Sequence, residues 1–117
     1  MTDNTRMANG HPTPVPEALQ TLAEYLEQSL DKAASIVMMR HPGGVCTVYL
    51  GDPSGQPEDL RQIASIEESL ANGMLELTQS GANQMAIGDQ NYRFVRSFTA
   101  VDNTAAIVFS TDSVKLY

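Results

Sequence analysis

The segment SIVMMRHPGGVCTVYLG, residues 35–51, predicts a β-hairpin and gives the first indication of the fold. Residues 35–41 and 45–51 are apolar with β-branched side chains, and each run is too short for an independent helix. Pro42, Gly43 and Gly44 separate the two runs. Because proline presets its own φ and glycine adopts positive φ without steric cost, this tripeptide is typical of a turn. The segment therefore predicts two antiparallel strands joined by a reversal of the chain.

The same hairpin contains the only cysteine of the chain, Cys46, and one of its two histidines, His41. A nucleophilic cysteine needs a neighbouring base and an electropositive setting, and no third orienting group can be placed beside this pair. A metal site would need three or four ligands. We therefore expect Cys46 to be a buried core residue, with a reactive pair as the alternative. The other histidine, His11, is expected to be solvated in a polar N-terminal tail.

A first helix is predicted to begin near Pro16, because proline lacks an N–H that would be unpaired in the first helical turn anyway. Leu19, Leu22, Leu26 and Leu30 follow at spacings of three and four. They cover a narrow stripe of about 80° on a helical wheel. This pattern indicates a helix that packs with one side against a single partner.

A long second helix is predicted for residues 57–80, with Gly81 just past its end. Gly73, inside it, would either kink the helix or let another helix come close. Its apolar positions cover about 200° of the wheel, more than one sheet of a small domain can cover. We therefore expect half of this arc to contact a second subunit. The expected interface residues are Ile63, Ile66, Glu67, Leu70, Met74 and Leu77.

The last third of the chain predicts strands at residues 83–88, 91–100 and 104–110. Alternation along the middle strand places Tyr92, Phe94 and Phe98 on one face together with Arg96, and such an aromatic row is typical of a core. The predicted fold is thus a single α+β domain with the order α-β-β-α-β-β-β and an antiparallel five-stranded sheet. We expect a flexible tail at residues 1–13, the domain at 14–112 and a short tail at 113–117.

Charge and composition exclude several classes of partner. The 117 residues include seven Lys and Arg against fourteen Asp and Glu, a net charge of −7. Nucleic acid and anionic membranes are therefore not expected as partners. No apolar run approaches the ~18 residues of a transmembrane helix, and a lone cysteine cannot form an internal disulfide, so the expected location is cytoplasmic. We expect no catalytic residue, no cofactor and no metal, because the motifs that carry them do not occur.

Two segments resemble the roadblock/LC7 group of small, profilin-like α+β domains. ASIVMMRHPGGVCTVYLGDPSG, residues 34–55, is similar to the first hairpin and acidic-glycine loop of that group, and NYRFVRSFTAVDNTAAIVFS, residues 91–110, is similar to its closing hairpin. Members commonly have a third helix at the C-terminus, for which this chain has only a short polar segment. The resemblance implies a homodimer with sheets joined edge to edge and second helices side by side. It also implies binding or regulation of small GTPases, motors or signalling complexes without catalysis.

These observations favour a non-enzymatic, dimeric protein-interaction module, a regulator or scaffold for a small GTPase, another NTPase or a signalling complex. One alternative is a small acidic protein similar to secretion chaperones, which hold segments of an effector in apolar grooves. Another is a ligand-binding domain or enzyme that uses Cys46, His41 or Glu67. A platform on the second helix would favour the regulator and exposed apolar grooves on the sheet the chaperone. Convergence of the three residues in one pocket would favour the enzyme.

Overall fold

The computed structural model describes residues 15–111, which form an α+β fold. The elements are α1 (Glu17–Lys32), β1 (Ser35–His41), β2 (Val45–Gly51), β3 (Arg61–Glu67), α2 (Glu68–Glu76), β4 (Gly81–Ile87), β5 (Gln90–Val101) and β6 (Thr104–Thr111). A single 3₁₀ turn, Pro57–Asp59, precedes β3. The tails predicted at residues 1–13 and 113–117, and His11 with them, lie outside the described residues.

The six strands form one antiparallel sheet in the order β3-β2-β1-β6-β5-β4. The prediction of five strands is therefore wrong in number, although the α+β class is confirmed. The predicted first hairpin is confirmed with the same bounds for β1 and β2. Its turn uses positive φ angles of 95° at Gly43 and 78° at Gly44, as the Pro-Gly-Gly sequence indicated.

The predicted long second helix is wrong in its first half, because residues 61–67 form the edge strand β3 and only residues 68–76 are helical. The reason is a β-bulge: the register with β2 shifts between Val48 and Tyr49, so Ile63 is an extra residue in its strand. As a result Ile63, Ala64 and Ile66 all pack against the same core. A bulged strand thus repeats apolar residues at helix-like spacing, and the 200° arc does not exist on any one helix.

The main core lies between the two helices and one face of the sheet. In α1, Leu22 and Leu26 are fully buried, whereas Leu30 at the end of the stripe is exposed. The sheet contributes Phe94 and Phe109, whose rings meet edge to face with centroids 5.9 Å apart. The other strand residues of this core are Ile36, Met38, Cys46, Val48, Leu50, Met85, Tyr92 and Ile107. A smaller cluster on the opposite face consists of Val37, Met39, Val101 and Ala106.

Helix α2 packs beside α1, and both helices contact the sheet. Ala71 and Met74 are buried in the core. Of the two roles predicted for Gly73, the structure shows the close helix approach, since a Cβ at this position would lie 3.1 Å from the Cβ of Ala18 in α1. The apolar side of this short helix is therefore occupied by contacts within the chain.

Candidate protein-binding surface

The residues that could carry chemistry are distributed over both faces of the sheet. Cys46 is fully buried on the helix-facing side of β2, which confirms it as a core residue. Burial raises the pKa of its thiol; Arg40 nearby lowers it and Glu68 raises it. His41 is the register partner of Val45, which neighbours Cys46 in sequence. Because successive side chains of a strand point to opposite faces, His41 and Cys46 do not form a reactive pair.

Glu67, at the end of β3, is also opposite Val45 and is exposed. It therefore shares a sheet face with His41 and is separated from Cys46. Cys46, His41 and Glu67 do not converge in one pocket. Within residues 15–111, no group of three or more His, Cys, Asp or Glu side chains could hold a metal ion.

The predicted interface residues lie in three environments. Met74, one of the predicted interface residues, is fully buried in the core, so its side chain offers no surface to a partner. Ile66, Glu67 and Leu70 line a shallow cavity beside β3 together with Glu17, and Ile63 packs under the same strand. Leu77, in contrast, is 49% exposed and lies next to β4, at the other edge of the sheet. The positions do not form one helical platform.

The most exposed large apolar side chain of the described residues is Phe98 in β5, with 63% of its surface accessible. It lines a cavity of about 290 Å³ between α2 and the β5–β6 hairpin. We call this cavity the Phe98 groove. Its other lining residues include Met38, Leu75, Ala105 and Ile107, with Arg40 at one side. A concave surface lined mainly by apolar side chains is typical of a binding site.

Phe98 also belongs to a strand segment with a free edge. The ladder between β4 and β5 ends at the pair Gly81–Arg96, and no described strand pairs with residues 97–101 on that side. The sequence of this segment, SFTAV, contains no charged residue. Unpaired N–H and C=O groups along a strand edge are a template for another chain. Residues 97–101, which we call the open edge of β5, thus place free backbone groups directly beside the apolar groove.

Arg96 fixes the structure around the groove. Its Nη1 donates hydrogen bonds to the carbonyl oxygens of Leu75 and Thr78, at 2.9 and 3.1 Å, and to Oγ1 of Thr78 at 2.9 Å. These bonds cap the C-terminal end of α2, whose last carbonyls have no partner within the helix. The guanidinium carbon also lies 6.0 Å from the centroid of the Phe98 ring. One side chain therefore holds both the helix end with Leu75 and the strand with Phe98.

Arg40 plays a similar role at the other end of α2. Its guanidinium donates to Glu68 at 2.8 Å and to the side-chain oxygen of Asn72. The side chains of this ion pair are exposed, 48% for Arg40 and 42% for Glu68. An exposed pair of this kind contributes little to stability.

The sequence pattern does not reveal the groove, because Phe98 follows the same alternation as Tyr92 and Phe94, which are buried. The signal that could have revealed it is strand length. The predicted strand at residues 91–100 is longer than the predicted strand at 83–88, so its end must extend beyond its neighbour. An aromatic residue in that overhang has no adjacent strand to cover it.

No helix formed by the described residues is both long and apolar enough to span a bilayer. Comparison of the chain with protein-family models, curated proteins and solved structures finds no match. The roadblock/LC7 resemblance therefore stays a prediction from the two hairpins.

Proposed function

We propose that the protein is a non-enzymatic protein-interaction module that binds an extended segment of a partner protein. The segment adds as a strand to the open edge of β5 and places side chains against Phe98 and the groove. The observation that carries this proposal is Phe98, 63% exposed in an apolar groove beside an uncharged, unpaired strand edge. A cytoplasmic location, expected from the sequence, belongs to the same proposal.

Binding by strand addition uses both the open edge of β5 and the Phe98 groove. Main-chain hydrogen bonds to a free edge give affinity for any extended chain, and pockets for alternate side chains give specificity. On the helix-facing side the added strand would lie next to Phe98, and its longer side chains would reach towards Leu75. The bonds of Arg96 hold these walls in place before binding, which lowers the entropic cost of association.

The chemistry of the partner follows from the groove and from the net charge. Alternate residues of the segment are apolar, because the groove is lined mainly by apolar side chains. The segment as a whole carries no net negative charge, because the net charge of −7 on this chain repels acidic partners. Neutral or basic extended segments fit both conditions.

Among the functions considered from the sequence, this mode favours the type of interaction made by small acidic secretion chaperones. A regulator working through a platform on the second helix has less support, because α2 has nine residues and buries Ala71 and Met74. The enzyme alternative has less support because Cys46 is separated from His41 and Glu67 by the sheet. The groove on the helix-facing side of the sheet is the feature that a chaperone would use.

A peptide-binding measurement tests the proposal. The probe is a fluorescein-labelled peptide of alternating valine and threonine with a lysine at each end, and binding is followed by fluorescence anisotropy. We expect binding by the wild-type protein and about 10- to 100-fold weaker binding by Phe98→Ser, since full burial of an apolar side chain contributes roughly 1.5–3 kcal/mol. The matched control is Val95→Ser: Val95 is 39% exposed on the opposite face of the same strand.

The control variant is expected to bind like the wild type, with both variants first shown to be folded by circular dichroism. Equal affinities for Phe98→Ser and wild type contradict the proposal. So does a wild-type protein that does not bind the peptide at millimolar concentration, because strand addition to a free edge does not require one particular sequence.

A further inference from the structure

The open edge of β5 presents the backbone groups of Phe98 and Ala100. A two-residue turn joins Val101 of β5 to Thr104 of β6, so these two residues form a hydrogen-bonded pair. The direction of the backbone groups alternates along a strand, so every second residue counted back from Val101 bonds to β6. The N–H and C=O groups of Phe98 and Ala100 therefore point to the free side, where no group of residues 15–111 bonds to them.

We infer that the partner segment adds antiparallel to the open edge of β5, with a basic residue at its N-terminal end beside Asp102. The inference rests on the proposed function and defines the direction, the register and the sequence pattern of the segment. That pattern is a lysine or arginine followed, two and four residues later, by an apolar residue.

The register follows from the ladder that β4 already forms with β5. Gly81 of β4 takes the place opposite Arg96, so the last paired residue of an antiparallel segment lies opposite Ser97. The segment residues opposite Phe98 and Ala100 exchange main-chain hydrogen bonds with them and share their face of the sheet. This is the helix-facing side, because Arg96, two residues before Phe98, bonds to the end of α2. These two positions of the segment are therefore the apolar ones.

The antiparallel direction is favoured by the pairing geometry. All five ladders of the described sheet are antiparallel, and a segment in this direction continues the ladder between β4 and β5. Parallel pairing is slightly less stable per residue. A segment that runs antiparallel to β5 begins beside Asp102 and ends beside Arg96.

Opposite charges flank the open edge and add a preference to that direction. Arg96 lies at the start of the edge, and Asp102 is exposed in the turn just past its end. A basic residue is therefore favoured at the N-terminal end of an antiparallel segment and disfavoured at its C-terminal end. Arg40, the other charged residue that lines the groove, is paired with Glu68 and contributes little to this preference.

Two peptides of the same composition and opposite order test the inference. Both are N-acetylated and C-amidated; KTVTVT has the basic residue at the N-terminal end and TVTVTK at the C-terminal end. Their affinities are measured at low ionic strength, by displacement of the fluorescein-labelled peptide. We expect the wild-type protein to bind KTVTVT about 2- to 5-fold more tightly than TVTVTK, the range of an exposed charge pair.

Asp102→Asn tests the source of the preference. It removes the charge and keeps a side chain that tolerates the positive φ of 51° at this position. We expect it to weaken the binding of KTVTVT selectively, so that the preference falls towards one. The matched control is Asp89→Asn, the same change in the exposed turn at the other end of β5, which is expected to keep the wild-type preference. Circular dichroism first shows that both variants are folded.

Equal affinities of the wild type for the two peptides overturn the inference, and so does tighter binding of TVTVTK, which would indicate a parallel segment. In both cases strand addition at the open edge stands, provided that Phe98→Ser still weakens binding. A preference that survives Asp102→Asn overturns the assignment of the basic residue to Asp102. If neither peptide binds, the proposed function fails together with the inference.

Discussion

The two edges of this sheet differ in what they offer to another chain. The β3 edge carries Arg61 and Glu67 and is bent by a bulge at Ile63. The opposite edge is uncharged along β4, and beyond β4 it continues as the open edge of β5 beside Phe98. Neither edge is paired with a further strand among the described residues, but charge and a bulge protect only the first. A free edge is therefore a binding surface only where its side chains permit a second chain to approach.

The helices are also attached unevenly to the two halves of the sheet. On the β5 side, Tyr92 donates a hydrogen bond to Glu27 of α1 at 2.6 Å, and Arg96 caps the end of α2. On the β1 side, Arg40 contributes an exposed ion pair with Glu68. We infer that the helices hold the β5 side of the sheet, which includes the proposed binding edge, more firmly than the β1 side. Substitutions that compare the two halves can test this.

The largest difference in the free energy of unfolding is expected between two core substitutions, Phe94→Ala in β5 and Ile66→Ala in β3. Phe94 is 1% exposed and packs against Phe109, so its truncation is expected to cost about 3–5 kcal/mol of the free energy of unfolding. Ile66 is only partly buried, and its truncation is expected to cost about 2 kcal/mol or less. Urea denaturation followed by circular dichroism measures both values. Equal losses would show that the β3 half is held as firmly as the β5 half.

A smaller difference in the free energy of unfolding is expected between substitutions of Arg96 and Arg40, which both form hydrogen bonds to α2. Arg96→Met leaves the carbonyls of Leu75 and Thr78 without their donor, at a cost of about 2 kcal/mol. It is also expected to weaken peptide binding, because the walls of the groove are no longer fixed. Arg40→Met is the matched control and is expected to cost less than about 1 kcal/mol, since its ion pair is exposed. Urea denaturation and fluorescence anisotropy check the two effects, and a larger loss for Arg40→Met would contradict this ranking.

The parts of the fold that depend on local sequence could be predicted. The Pro-Gly-Gly turn determines the first hairpin, and the leucine stripe of α1 marks the side that is buried at Leu22 and Leu26. The burial of Cys46 follows from its place in a short apolar strand. Strand β3 could not be predicted in the same way, because its bulge gives Ile63 and Ile66 the spacing of a helix face.

Strand lengths alone do not locate the candidate binding surface, because it also depends on lateral strand order. Phe98 and Phe94 occupy equivalent positions in the alternation of β5, yet one is exposed and the other buried. The difference arises because β4 pairs with β5 only as far as Arg96. The order β3-β2-β1-β6-β5-β4 also decides which strands are edges, and no local pattern in the sequence specifies it. Local patterns predict elements, whereas exposed edges follow from their assembly.

The smallest effect on the free energy of unfolding is expected for Tyr92, whose hydrogen bond links β5 to α1. Its hydrogen bond to the Glu27 carboxylate, with further contributions from burial and the charge of Glu27, raises the pKa of Tyr92 from 10.0 to about 12. Because the pKa is higher in the folded state than in the unfolded state, the neutral hydroxyl stabilises the fold. This contribution is complete below pH 10 and is lost as the pH rises from 10 towards 12. Tyr92→Phe is expected to cost about 1 kcal/mol at neutral pH.

The free energy of unfolding of the wild type should therefore fall more steeply between pH 10 and pH 12 than that of Tyr92→Phe. Glu27→Gln keeps a hydrogen-bond acceptor but removes the charge, so its slope is expected to lie between the two. Urea denaturation at several pH values measures all three slopes. Identical slopes for wild type and Tyr92→Phe would mean that this bond does not hold α1 to β5. The difference between the two halves would then depend on Phe94 and Arg96 alone.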